Sequence, residues 1–306
     1  MVRLGLLSTA DIQRAHLSAA GEECPVVAVA SRDLARAQAF AREHGIERAH
    51  ASYDALLADD AVDAVVIALP NALHHQWTMR ALEAGKHVLC EKPYTRHSAE
   101  AEAAWDEAER RGLVLMEAFM WRHTAQTALL LELLPRLGQL HSVDAAFSFE
   151  WQRDDADVRL EPGLGGGSLL DVGCYCVNAL RLVAGEPDQA RGVQVLGRGG
   201  VDWGFAGALR FGDVPGSFRC GFQTRERGLS IHGAEGHLVV PDPWHGQGLF
   251  LNGEEFDVQP EDAYRRQLLN FAAAIRGDAE PLLGRADAIG QARTLEALLS
   301  SASGTG

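Results

Sequence analysis

The sequence predicts an α/β fold in which a doubly wound parallel sheet over residues 1–120 precedes an α+β domain over residues 121–306. Three observations carry that prediction. In the first part, short apolar runs alternate with amphipathic stretches, the βαβ pattern of a parallel sheet. That rhythm changes after about residue 120. From Gln189 to Val258 six or so strand-like runs then follow one another, separated by Gly, Asp and Pro with no βα alternation, as in an antiparallel sheet.

Val2 to Leu7 reads as a buried strand and Ile12 to Ala20 as a helix. Val26 to Ala30 is the second strand, followed by a helix over Leu34 to His44. Asp59 and Asp60 sit in the turn before a strand over Val62 to Ala68, and the helix Leu73 to Ala84 stops at Gly85. A strand over His87 to Cys90, a helix over Ala99 to Arg111 and a strand over Leu113 to Met116 complete the first domain, which right-handed crossovers wind into a doubly wound sheet. In the second domain Gln126 to Leu137 is expected to be one helix, Ser142 to Trp151 a strand, and Ser168 to Val183 a helix after the glycine-rich link Gly163 to Gly167. Helices over Glu261 to Arg276 and Ala286 to Ser300 close the chain, ahead of a Ser-Gly tail expected to be frayed.

Composition narrows the function classes. With 47% hydrophobic and 23% charged residues the chain can bury a core and present an ordinary polar surface. A net charge of -14 argues against nucleic acid or an anionic membrane as partner, since both select basic surfaces. An anionic cofactor must then be held by a local basic spot. Five cysteines at irregular spacing do not make a disulfide framework, and no second Cys/His pair accompanies Cys174 and Cys176, so no metal site is expected. The start of the chain enters a strand directly and no long apolar span follows, which fits a cytoplasmic protein.

The first strand-to-helix turn reads Gly5-Leu6-Leu7-Ser8-Thr9-Ala10-Asp11-Ile12. Ser8 and Ala10 stand where a dinucleotide fingerprint has glycine, and Gln13 is large for its place. Small residues still let the backbone approach a pyrophosphate, and the Ser8 and Thr9 hydroxyls can bind it at a helix N-terminus. An ordinary turn reads the same way, so the second strand decides. NAD-selective folds end that strand in Asp or Glu, whereas this chain has Ser31-Arg32-Asp33 with Arg36 four residues after Arg32. Guanidinium groups on one helix face bind a 2′-phosphate that an acid would repel, and the expected cofactor is NADP(H). Leu69-Pro70-Asn71 ends a further parallel strand, where it can close over the pyrophosphate and nicotinamide ribose. His74 and His75 follow about 100° apart on a helix, so both cannot face one ligand. One of them faces the site, with His74 carried as the candidate.

The segment Val88-Leu89-Cys90-Glu91-Lys92-Pro93-Tyr94-Thr95 carries the chemistry. It places Lys92 at the carboxyl edge of a parallel sheet, where open α/β folds bind ligands. Pro93 fixes the backbone beside it, and the Lys92-Pro93 bond is a candidate for the cis form. Hydride transfer also needs a group that moves the hydroxyl proton. Asp171 and Tyr175, spaced i,i+4, are expected on one helix face after glycines 165–167 that permit close approach to a ligand or to the facing domain. A phenol beside an ammonium has its ionised form favoured. Tyr175 is accordingly read as the proton-transfer group, with Lys92 and Asp171 fixing polarity and orientation. Tyr175 as an amphipathic core residue is the alternative.

These residues occur together with Glu117-Ala118-Phe119-Met120-Trp121-Arg122 and the closing Tyr264-Arg265-Arg266-Gln267 segment. In that order the chain resembles, over nearly its whole length, the glucose–fructose oxidoreductase, inositol dehydrogenase and rhizopine catabolism group (Gfo/Idh/MocA). Most of that family ends the Asp-x-Gly-x-His element with histidine, where this chain has Tyr175. With the Ser-Thr-Ala turn and Ser31-Arg32, this is similar to the branch of dihydrodiol dehydrogenases and NADP-linked aldose dehydrogenases, in which the matching lysine and tyrosine are the presumed catalytic pair. The resemblance implies a Rossmann-type first domain and an open-faced second sheet that forms a dimer or tetramer. Trp121, Arg122 and His123 follow a strand ending at the same edge as Glu91 and Lys92 and are expected, with those two, to border cofactor and substrate. The family proline after His123 is missing. Trp151 to Asp157 and Trp244-His245 are read either as walls of a substrate pocket or as packing between sheet and helices.

The function expected is NADP(H)-dependent hydride transfer on a CH–OH/C=O pair of a sugar, cyclic polyol or dihydrodiol. Reduction of a keto-sugar nucleotide and a non-catalytic dinucleotide sensor are the alternatives, and a sensor has no need of Lys92 with Tyr175.

Overall fold

The computed structural model describes residues 1–152 and 156–305. The chain divides into two units: Met1–Thr95, Ala99–Met120 and Asp262–Ala288 form the first, and Arg96–Ser98, Trp121–Glu261 and the chain from Ile289 onward form the second. Two consecutive blocks, 1–120 and 121–306, therefore miss the return of residues 262–288 to the first unit.

In chain order the first unit holds β1 (Leu4–Leu7), α1 (Ile12–Ala19), β2 (Val26–Ala30), α2 (Leu34–His44), β3 (Arg48–His50), α3 (Tyr53–Leu57), β4 (Ala64–Ile67), α4 (His74–Glu83), β5 (His87–Glu91), α5 (Ser98–Arg111) and β6 (Leu115–Ala118). The second unit contributes α6 (Ala125–Leu133), β7 (Leu140–Ser148), α7 (Cys174–Ala184), β8 (Gln189–Leu196), β9 (Asp202–Phe211), β10 (Val214–Gly221), β11 (Glu226–Gly233), β12 (Gly236–Val240), β13 (Phe250–Leu251) and β14 (Glu254–Glu255). Then come α8 (Ala263–Arg276), α9 (Arg285–Ser301) and β15 (Ser303–Thr305).

The first sheet runs β3-β2-β1-β4-β5-β6, all parallel, the order of a doubly wound dinucleotide fold with its switch point between β1 and β4. Every residue of β1, β4 and β6 is buried, and β1 and β4 read as the unbroken apolar runs of strands covered on both faces. β3 and α3, absent from the sequence expectation, complete the edge beyond β2. The closing helix α8 belongs here because Arg265 bonds the Ala19 carbonyl at the end of α1 (3.2 Å) and pairs with Glu23 (2.9 Å), while the Tyr264 ring meets His16 edge-on at 5.4 Å. Gln13 stands where close helix–strand packing favours glycine. It is fully buried, and its amide reaches the Val66 carbonyl at 3.2 Å.

The second sheet has nine strands, β14-β13-β12-β11-β7-β10-β9-β8-β15. It is mostly antiparallel, but β10 runs parallel to β7 and β15 parallel to β8. The tail expected to fray thus adds an edge strand, Ser303 opposite Val193. The helix expected over 126–137 ends at Leu133, since Pro135 has no N–H to continue it, and a 3-10 turn, Leu134–Leu137, follows. The stretch Pro162–Ala184 is long and apolar enough to cross a membrane, yet most of it is buried within this unit, as in a core helix that is apolar all round. Along β9, Phe205, Leu209 and Phe211 point to the core while Ala206, Ala208 and Arg210 are exposed. On β8, Val193 and Val195 are 49% and 44% exposed, so one face of this edge is open.

Candidate active site

In the first unit the candidate cofactor residues follow the carboxyl ends of β1, β2, β4 and β5. Ser8 departs from the expected role. Its φ is +123°, a conformation that suits glycine, and its hydroxyl donates to the Ala68 carbonyl at 2.7 Å. The hydroxyl proton is thereby spent on bracing the β1 turn against the β4 turn and is not offered to a phosphate. Thr9 and Ala10 remain half-buried, Asp11 is exposed, and Ile12 opens α1. The first amides of a helix lack intrahelical partners, so this turn keeps its capacity for an anion.

After β2, Ser31 is buried and accepts the Asp33 amide (3.3 Å), while Asp33 caps α2 by accepting the Ala35 and Arg36 amides at 2.8 and 3.3 Å. Because Asp33 is the cap, Arg32 precedes the helix, and the expected shared helix face is replaced by a turn. Arg32 and Arg36 are both exposed. Burial raises the Tyr53 phenol pKa, and both guanidinium charges oppose that rise, so the two cations act on one spot.

At the β4 end Leu69 and Pro70 precede the 3-10 turn Asn71–Leu73. His74 turns inward: it is 1% exposed, with Nδ1 2.8 Å from the Pro93 oxygen and Nε2 2.8 Å from the Leu69 oxygen. Burial, the largest influence, lowers its pKa against both carbonyls. His74 is therefore a cross-brace between the β4 and β5 turns, where a direct cofactor contact was expected. His75 bonds the Tyr94 hydroxyl at 2.9 Å.

The Lys92–Pro93 bond is cis, and Lys92 is half-buried. Glu91, expected at the cofactor, faces the interior: Oε1 lies 2.9 Å from His16 Nε2 and Oε2 accepts the Lys92 amide at 3.3 Å. Burial pushes the Glu91 carboxyl pKa up. His16, Lys92 and His74 together outweigh burial and hold it below the usual range.

In the second unit Trp121 is 1% exposed and packs edge-on against Trp244 at 5.5 Å, a core position in place of the expected cofactor border. Arg122 reaches the Asn178 side chain at 3.3 Å. Burial, with Arg122 beside it, drives the His123 pKa down to about 3.

A π turn, Leu169–Gly173, precedes α7, so Asp171 and Tyr175 do not share one regular α-helix; such insertions are frequent at functional sites. The Asp171 carboxylate is held by Arg159 at 2.9 Å, and Asp157 grips the same guanidinium. Tyr175 is 8% exposed, its ring edge-on to Phe147 (5.3 Å) and Trp244 (5.7 Å). Trp244 stacks on Phe147 and bonds the Ala146 carbonyl, which makes it packing for the tyrosine. The neighbouring His245–Asp242–Arg227 network arises from β11 and the loop after β12 and leaves no local motif. Arg153, Asp154 and Asp155 of the expected pocket wall lie outside the described residues. Two of the glycines expected to admit a ligand, Gly166 and Gly167, serve packing within this unit. A Cβ on Gly166 would meet the Arg159 oxygen at 2.4 Å, and one on Gly167 would meet Asp202 Oδ1 at 1.9 Å.

Asp202 accepts the Leu169 amide (2.7 Å) and the Ser168 hydroxyl (2.8 Å) at the start of the π turn. Burial raises its pKa from 3.8 to about 6 despite those bonds. The folded state then binds the extra proton between pH 4 and 6, so stability falls as pH rises through that window. At neutral pH the full cost is roughly 3 kcal/mol at 1.4 kcal/mol per pH unit. Asp202→Asn is expected to flatten the profile of unfolding free energy between pH 4 and 7 by about that amount. Denaturant titrations that give parallel profiles for the two proteins would show that Asp202 does not titrate there.

Two family models match: the oxidoreductase family with NAD-binding Rossmann fold over residues 3–119, and the GFO/IDH/MocA C-terminal domain over residues 135–239. The chain is 39% identical to a D-xylose 1-dehydrogenase (NADP(+)) of Haloferax volcanii, with 97% of this chain and 96% of that one covered. It is 36% identical to the trans-1,2-dihydrobenzene-1,2-diol dehydrogenase of Sus scrofa, covering 76% and 71%. A crystal structure of a 3-ketoreductase from Actinomadura kijaniata with NADP and TDP-benzene superposes with a TM-score of 0.92 at 31% identity, covering 99% and 98%. Variants of that reductase with a tyrosine changed to phenylalanine, or a lysine to alanine or glutamate, have also been solved. With both domains matched in order and the doubly wound sheet carrying its lysine beside a cis-proline, the chain belongs to the Gfo/Idh/MocA family of oxidoreductases.

Proposed function

We propose that the protein is a cytoplasmic NADP(H)-dependent dehydrogenase of a sugar or related polyol, acting on a CH–OH/C=O pair. The observation that carries this is the edge of the six-stranded sheet, where Lys92 follows β5, the anion-binding turn follows β1 and an exposed arginine pair follows β2. The end-to-end likeness to an NADP-linked xylose dehydrogenase supports the same assignment. The residues fit the cofactor: Thr9, Ala10 and the first turn of α1 would hold the pyrophosphate, Arg32 and Arg36 the 2′-phosphate, and Leu69 to Asn71 the ribose side. When bound, the nicotinamide supplies the hydride acceptor or donor. In this reading Tyr175 is the proton-transfer group, Lys92 supplies the polarising charge, and Asp171, held by Arg159, is an orienting residue. Five free, buried cysteines suit a reducing compartment.

Reduction of a keto-sugar nucleotide is the second function, favoured by the TM-score of 0.92 to the 3-ketoreductase. Following nicotinamide absorbance over a panel of pentoses, hexoses, dihydrodiols and keto-sugar nucleotides tests both. Turnover of a free aldose with NADP+ supports the first, and turnover confined to the nucleotide sugars replaces it with the second. A panel with no turnover despite NADPH binding overturns both.

We further propose that the open face of β8 and β9, with Val193 and Val195 exposed, closes against a second copy of the chain. Light scattering is expected to give a dimer or tetramer. A monomer at micromolar concentration excludes this interface.

A further inference from the structure

The cofactor helix and the catalytic lysine are joined by a buried pair outside any role assigned above. His16 lies on α1 and is 0% exposed; Glu91 ends β5 and is 9% exposed. Their Nε2–Oε1 separation is 2.9 Å. A carboxylate offers no hydrogen, so Nε2 must carry the proton and donate it. Among the described residues His16 Nδ1 has no hydrogen-bond partner, so Glu91 is the one polar group the ring is aimed at. Packing against the Tyr264 ring could be served by an apolar side chain; the directed bond to Glu91 could not. The other carboxylate oxygen accepts the backbone N–H of Lys92, which fixes Glu91 at the residue preceding the ammonium group. Glu91 is faced by His16 from α1, by His74 from α4 and by Lys92 beside it, and its charge is felt by the Tyr264 phenol on α8.

We propose that His16 is a positioning residue for Lys92: by holding the buried Glu91 carboxylate ionised and oriented, it keeps a fixed negative charge beside the lysine ammonium. Removing the donor leaves Oε1 of a buried carboxylate without its hydrogen bond, and the group then takes up a proton or turns away. In either case Lys92 loses an adjacent anion, and its neutral form becomes easier to reach. The inference rests on Lys92 as the polarising group of the proposed function, but its test does not need a substrate.

The sequence makes that test direct, because Lys86 and Lys92 are the only lysines. Biosynthetic labelling with 13C,15N-lysine marks these two residues alone without altering their amines, and NMR then follows each side chain through a pH titration of the full-length protein. Lys86 is buried, with Nζ on the Asp59 and Val62 carbonyls at 2.9 and 2.7 Å, and serves as an internal control. His16→Leu and Glu91→Gln are each expected to move the Lys92 midpoint to lower pH by at least about half a pH unit. His16→Gln, whose amide can still donate to Glu91, keeps the Lys92 midpoint close to that of the wild type, and the double variant His16→Leu/Glu91→Gln goes no further than Glu91→Gln. If His16→Leu does not fold, His16→Asn, polar but too short to reach Glu91, takes its place. A Lys92 midpoint that stays put in either folded single variant, with Lys86 unchanged, overturns the proposal. Full turnover by Lys92→Met would instead sink the proposed role of Lys92 and leave the titration result standing.

Discussion

Lys92→Met is expected to lower kcat by about 10²- to 10⁴-fold, the range that a positioned proton-transfer group contributes, while NADPH still binds. Methionine keeps an unbranched side chain one atom shorter and removes the charge, so the change probes the ammonium rather than the packing around it. Tyr175→Phe, which deletes one oxygen from a ring already packed against Phe147 and Trp244, is expected to fall in the same range. Residues that serve one transition state are strongly non-additive. The double variant should therefore lose little beyond the worse single variant, and a product of the two losses would mean that the groups serve separate steps. Stopped-flow absorbance of the nicotinamide, together with NADPH fluorescence for binding, separates chemistry from affinity. Wild-type kcat in Lys92→Met would end the assignment of this lysine.

The place of that lysine after β5 was legible because its signal is local: an apolar strand, then Glu-Lys-Pro, within a run of eight residues. The doubly wound sheet was legible for the same reason, since β1, β4 and β5 are short buried runs bounded by turns. β3 and α3 escaped, being a three-residue edge strand with little burial and a five-residue helix, both too short to show a period. The π turn escaped because a pattern read at 3.6 residues per turn has no place for an inserted residue. Side-chain partners were the least visible. His16 meets Glu91 across 75 residues, Leu169 meets Asp202 across 33, and Arg159 meets Asp171 across 12. The same limit explains Glu91 and His74. Sequence placed them at the right edge of the sheet, and only their buried partners show that they face inward, bracing the turns that carry Lys92.

Arg32→Ala/Arg36→Ala, which removes the 2′-phosphate contacts proposed for the pair after β2, is expected to weaken NADP+ by about 100-fold or more while NAD+ changes little. Hydrogen bonds between charged groups contribute roughly 1.5–3 kcal/mol each, and tenfold corresponds to about 1.4 kcal/mol, so two guanidinium–phosphate contacts suffice. Both side chains are exposed, so part of the interaction is screened, and the wild-type preference for NADP+ should shrink as salt rises. The ratio of kcat/KM values for the two cofactors at low and high ionic strength reads both effects. Equal loss for NAD+ and NADP+ would assign the arginines to the shared part of the nucleotide, and no loss would leave them as solvated surface charges. A ligand-free control exists in Tyr53, whose phenol is raised by burial and lowered by both arginines. Removing the pair should push its ionisation to still higher pH in an ultraviolet titration, with only three other tyrosines to resolve. If the Tyr53 shift is seen without a change in cofactor ratio, the two cations converge on this spot yet bind nothing there, and the 2′-phosphate must be recognised elsewhere.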